Sequence, residues 1–146
     1  MVDVTTEITI RRSVGEVCVY AAEPSNAPHW YDNIKSAAWT TDPPLRVGSK
    51  FAFTAIFLRR QLTYTYEVID FVPNERLTMR TAEGPFPMET TYTWLRIDDR
   101  TTLMTLRNHG DPSGFSKLAS PIMRAAMRHA NRKDLAKLKS NLETTA

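Results

Sequence analysis

Tyr64, Tyr66, Tyr92 and Trp94 occupy alternate positions within β-like runs, and each joins a ring to a polar tip. A buried tip needs a hydrogen-bond partner. Four such tips on one inner face therefore suit a partly hydrated pocket for an apolar molecule better than a dry core. Phe53, Met79, Met88 and Met104 share that face, and Met123 and Met127 fall on the helix expected to cover it. Methionine adapts its shape to varied ligands. Asn131 and Asp134 interrupt the apolar stripe of the same helix. A polar side chain in that position must be satisfied: either it meets water or Arg128 at the edge of the stripe, or it orients a ligand's polar group. The expected ligand-binding set is Phe53, Tyr64, Tyr66, Met79, Met88, Tyr92, Trp94, Met104, Met123, Met127 and Asn131. Plain core packing competes with that reading at each Phe or Met taken singly. Within that set, Tyr64, Tyr66, Tyr92 and Asn131 are the groups available to enolise a ligand's carbonyl and orient it.

Other chemistries are poorly supplied. His29, His109 and His129 are far apart, with no His-x-x-x-His or His-Glu spacing, so no metal site is expected. Asp111 with His109 or Ser113 lacks a nucleophile elbow, and Gly110-Asp111-Pro112-Ser113-Gly114 reads as a turn. Cys18 is the sole cysteine and sits on an apolar helical stripe, where an inert buried thiol is expected. It excludes an intrachain disulfide and a CxxC pair. There is no Gly-rich phosphate loop and no evident inward Arg, Lys or His among the strands. No catalytic residue and no cofactor are assigned.

With 146 residues, 42% hydrophobic and 24% charged, the chain is expected to form a single domain, 1–146, with a core of its own. No apolar run approaches the roughly 20 residues of a membrane span. The alternating, acid-bearing first ten residues do not look like a signal peptide, so the cytoplasm is the expected compartment. The net charge of +3 is too small to imply nucleic acid. Lys117 to Lys139 is nonetheless strongly basic, with seven Lys or Arg and one acid, Asp134.

The elements that must position these groups follow from periodicity. Val4, Thr6, Ile8 and Ile10 alternate as a strand, and Ser13 with Glu16 forms a capping box for a helix to about Ala22. Pro24 and Pro28 break it around a second short helix or turn at His29-Trp30-Tyr31. Strands are predicted at 34–41, 51–57, 62–68, 77–81, 88–94 and 102–108, with turns at 59–61, 72–75 and 98–100. Their opposite faces carry Thr63, Thr65, Glu67, Thr78, Arg80, Glu89, Thr91, Thr93, Thr105 and Arg107, as a solvated sheet face requires. A helix of about Ser120 to Glu143, roughly 33 Å long, has Met123, Met127, Ala130, Asn131, Asp134, Leu135, Leu138 and Leu142 on one stripe. Arg124, Arg128, Arg132 and Lys139 are placed nearer the other side. This long helix is the only element large enough to bury the inner face of the sheet. The fold class is α+β: a seven-stranded curved antiparallel sheet wrapped on a long C-terminal helix, with two short helices after the first strand.

This order resembles the START-like (SRPBCC) superfamily, the helix-grip group that includes polyketide cyclase/dehydrase and birch-pollen-allergen-like proteins. The resemblance is carried by Glu7-Ile8-Thr9-Ile10, Pro28-His29-Trp30, Tyr64-Thr65-Tyr66-Glu67-Val68 and Gly84-Pro85-Phe86. Asn108 to Phe115 and Asn131-Arg132-Lys133-Asp134-Leu135 carry it further, so that it spans nearly the whole chain. It implies a cavity between sheet and helix, and no universal catalytic motif. The leading expectation is a binding protein for a lipid or polyketide-like metabolite, monomeric or homodimeric, without nucleic acid and without stable membrane insertion. The alternatives are a polyketide aromatase/cyclase and an interaction protein, toxin-like or chaperone-cofactor-like, using the basic helix.

Overall fold

A computed structural model describes residues 2–57, 59–83, 88–110 and 121–144. The order is β1 (Val2–Ile10), α1 (Val14–Ala22), a 3-10 turn (Pro24–Asn26), α2 (Ala27–Trp30) and β2 (Ile34–Trp39), then β3 (Lys50–Phe57), β4 (Arg60–Val72), β5 (Arg76–Glu83), β6 (Met88–Asp98), β7 (Thr101–Gly110) and α3 (Pro121–Thr144). The strands form one antiparallel sheet in the order β1-β7-β6-β5-β4-β3-β2. Register shifts in β2, β4 and β6 mark bulges, which bend a sheet and raise its twist.

Local chemistry sets the boundaries. Ser13 Oγ accepts from the Glu16 N–H at 3.2 Å, and Glu16 Oε1 accepts from the Ser13 N–H at 3.4 Å, the reciprocal cap that α1 needs. Asn74 turns the β4–β5 hairpin at φ 66°, a left-handed conformation that Asn tolerates. The outer face is largely polar as expected, although Thr78 is buried there and Ile56 and Leu95 are exposed on it. Thr78 and Thr91 hydroxyls meet at 3.2 Å, and Arg107 grips Asp3 with two bonds of 2.9 and 2.8 Å.

The C-terminal end of α3 is tied down where β1 meets α1. Lys139 Nζ donates to the Thr9 carbonyl at 2.8 Å and to Glu143 Oε2 at 2.6 Å. Glu143 Oε2 also accepts the Arg11 N–H at 2.8 Å, and Arg12 reaches the Glu143 carbonyl at 3.0 Å. Leu135, Leu138 and Leu142 bury themselves against Ile10, Val17, Met104 and their neighbours. The stripe is shorter than its sequence implied. Ala130 is exposed, because it lies about 100° around the helix from Asn131, and the apolar face narrows there. The turn expected at 115–119 lies outside the described residues.

Candidate functional site

Strand register arranges the inner face as rows crossing the sheet. One row runs Ile8–Met104–Trp94. The next runs Thr6–Leu106–Tyr92–Leu77, and the third Val4–Asn108–Thr90–Met79–Val68. Beyond these lie Gly110 paired with Met88, and Thr81 paired with Tyr66.

The first three rows are tightly packed: Val4, Val68, Met104 and Leu106 are at 0% exposure, and only Ile8 and Asn108 in them are half-buried. Over them lies a chain of rings. Trp30 and Tyr31 centroids are 4.1 Å apart, Trp30 and Tyr92 5.7 Å, and Tyr92 and Trp94 6.2 Å. The Tyr31 and Tyr92 hydroxyls meet at 2.7 Å. Burial pushes both phenols far above their ordinary range. Asp134 reaches this pair from α3 and accepts the Asp32 backbone N–H at 3.1 Å. Desolvation pushes its carboxyl up to about 6; the Asp32 carboxylate adds to that shift, while the Asp32 N–H and Lys133 oppose it. An acid that titrates near neutrality beside two phenols is a competent proton donor or acceptor.

The remaining rows are looser. Tyr66, Thr81 and Met88, with Asn108 of the third row, are only half-buried although they point inward, and so is Met127 on the facing helix. Here the polar groups form a relay. Tyr66 bonds Thr90, whose hydroxyl donates to Asn108 Oδ1 at 2.7 Å. Burial pushes the Tyr66 phenol up to about 12. Tyr64 and Phe53 flank it, their ring centroids 6.3 and 5.5 Å from that of Tyr66.

The expected site residues thus fall into two groups. Phe53, Tyr64, Met79, Tyr92, Trp94, Met104 and Asn131 are buried; Tyr66, Met88 and Met127 border the looser end. The Met123 side chain lies outside the described residues. Sequence reasoning missed Tyr31, which the Pro-flanked α2 swings onto Tyr92, and the Thr90–Asn108 pair. An alternation count of polar residues on the inner face would have found that pair. It also misplaced Arg124. Eleven residues make about three turns and eighteen make five, so Arg124 lies in line with Leu135 and Leu142 and is half-buried, unlike the exposed Arg128 and Arg132. Trp30 Nε1, Trp94 Nε1, Thr6 Oγ1 and Asn131 Nδ2 are buried without a partner among the described residues.

No group of His, Cys, Asp and Glu among the described residues has the arrangement of a metal site. Cys18 is buried, accepts the Asn74 N–H at 3.3 Å, and has its thiol pushed up by burial. A recess of about 210 Å³, in part open solvent, lies between Ala21, Pro24, Ala27, Phe53 and Tyr92. Its enclosed part has room for about one water molecule, far below a small-molecule pocket.

Residues 1–143 match the model of a family described as polyketide cyclase / dehydrase and lipid transport. The chain belongs to that family. Among solved structures, a START superfamily protein from Mycobacterium smegmatis superposes with a TM-score of 0.82 at 12% identity, covering 97% of both chains. The Zhui aromatase/cyclase from Streptomyces sp. R1128 gives 0.79 at 13% identity, over 97% of this chain and 93% of that one. A protein from Thermus thermophilus gives 0.76 at 15% identity, over 96% of both. At such identities these likenesses establish the helix-grip fold and nothing further. No curated protein matches the sequence. Among the described residues no helix is long and apolar enough to cross a membrane.

Proposed function

We infer that the protein holds a hydrophobic or aromatic small molecule, a lipid or polyketide-like metabolite, between the sheet and the first half of α3. One observation supports this reading above the others: the inner face is packed solid at one end and loose at the other. Tyr66, Thr81, Met88, Asn108 and Met127 keep exposed surface while facing inward. A chain that wanted only stability would close that end too, since each buried methylene contributes about 0.8 kcal/mol. The polar groups there are few and already linked, as in sites where an apolar lining carries affinity and a few hydrogen bonds fix orientation.

The test uses the neutral fluorophore N-phenyl-1-naphthylamine and native mass spectrometry of the purified protein. Saturable binding with quenching of tryptophan emission, shifted more strongly by Tyr66→Phe than stability is, supports the reading. If a diverse hydrophobic library gives no binding and an experimental structure shows no internal void, the reading fails.

A second reading, a polyketide aromatase/cyclase, is favoured by the Asp134–Tyr31–Tyr92 group, an acid–base couple in a water-poor site. It requires turnover of a poly-β-keto thioester mimic that Asp134→Asn reduces at least tenfold. The interaction-protein reading draws on the exposed Arg128, Arg132, Lys133 and Lys137; a partner retained when the cavity is filled would favour it.

A further inference from the structure

We propose that the bound molecule carries a carboxylate or similar oxyanion, and that Arg124 receives it at the open end of the cavity. This rests on the binding reading above and names the ligand's head group.

The position of Arg124 follows from two lengths. α3 runs alongside β1, with Lys139 at Thr9 and Glu143 at Arg11. A helix rises about 1.5 Å per residue and a strand about 3.3 Å. The stretch from Lys139 back to Arg124 and the stretch from Thr9 back to Val2 therefore both measure about 22 Å. Arg124 thus overlies the start of β1, in the row that continues through Gly110 to Met88. Its helical phase points it toward the sheet, and it is half-buried. It makes no ion pair or hydrogen bond among the described residues. A cation partly withdrawn from water with no counterion among the described residues carries a cost, and an arriving anion removes it.

The neutral polar groups nearby are donors as well. The Oδ1 of Asn108 is occupied by the Thr90 hydroxyl, so its N–H2 group is what remains to face a ligand. Asn131 Nδ2, about 10 Å farther along α3, is buried without a partner among the described residues and is placed to meet an acceptor on the ligand's body, not its head group. Guanidinium and amide N–H groups together recognise oxygen acceptors, and a guanidinium grips a carboxylate with two parallel bonds. The one inward acid of α3, Asp134, lies about 15 Å farther along the helix, too far to repel a head group held at Arg124. An acyl or aromatic body would then extend over Tyr66, Met88 and Met127.

The experiment compares 11-(dansylamino)undecanoic acid with its methyl ester, which share one body and differ in head charge. Wild-type protein should bind the acid at least tenfold more tightly than the ester at pH 7.5. Arg124→Gln should erase that preference while leaving ester affinity unchanged and the melting temperature of the ligand-free protein no lower than that of wild type, and Arg124→Lys should keep part of the preference. Arg128→Gln, on the outward face, should behave as wild type. Equal binding of acid and ester by the wild type would overturn the proposal while leaving the cavity reading intact. An acid preference that survives Arg124→Gln would overturn the assignment to Arg124. Binding of neither compound would overturn both.

Discussion

Asp134→Asn isolates the electrostatic load carried by the site. Asparagine keeps the shape and keeps an oxygen to accept the Asp32 N–H, now 3.1 Å from Asp134 Oδ1, while removing the charge. The carboxyl is raised from 3.8 to about 6, mainly by desolvation. Its ionised form is therefore disfavoured in the folded state relative to the unfolded chain. At 1.36 kcal/mol per unit of pKa, ionisation costs the fold about 3 kcal/mol. Below about pH 4 the group is protonated in both states and imposes no penalty. Between about pH 4 and pH 6 the unfolded chain ionises first, and stability declines as pH rises. Above pH 6 the penalty is complete. Asp134→Asn should thus come within about 0.5 kcal/mol of wild type at pH 4 and exceed it by about 3 kcal/mol at pH 8, read from urea melts at both values. Comparing variant with wild type cancels the opposite contributions of Asp3 and Glu143, whose carboxyls are held low by Arg107 and Lys139. An equal effect at both pH values, or a loss at pH 8, would refute the reasoning. It would mean that the Asp134 charge is compensated within the fold.

Two further substitutions test the rest of the site. Met104→Ala, in the solid row at 0% exposure, should cost about 3 kcal/mol, whereas Met88→Ala at the loose end should cost under about 1.5 kcal/mol, both measured by denaturant unfolding; similar costs would contradict a one-sided cavity. Asn131→Leu removes an amide that lacks a partner among the described residues, so the ligand-free protein should gain about 1 kcal/mol while affinity for the dansyl acid falls; a clear loss of stability would show that the amide is satisfied.

The sheet was readable because its strands alternate and one face is wet. Arg80, Thr93 and Arg107 could only face outward, which fixed Met79, Tyr92 and Leu106 as inward. The cap of α1 was readable because Ser13 and Glu16 are three residues apart. The site was less legible, since its contacts join distant parts of the chain. Tyr31 and Tyr92 are separated by 61 residues, and only the short α2 brings their hydroxyls together. The stripe of α3 misled at both margins. Ala130 looked apolar enough to be buried and is exposed, and Arg124 looked polar enough for solvent yet shares the phase of Leu142. Composition and angle disagreed at those two positions, and in each the angle decided.

The pairing of β1 with β7 has a consequence for how the protein comes into being. Val2 lies opposite Gly110, and Asp3 is tied to Arg107 across 104 residues of sequence. β1 therefore leaves the ribosome long before its partner β7, and both then wait for α3. β2 to β6 can assemble as successive hairpins, each with its neighbour in sequence, but that partial sheet has an uncovered apolar face and β6 with one side unpaired. Non-local closure of this kind slows folding and prolongs exposure of sticky edges. Closure of β1 onto β7, and the covering of the inner face by α3, therefore wait until every other strand has been made.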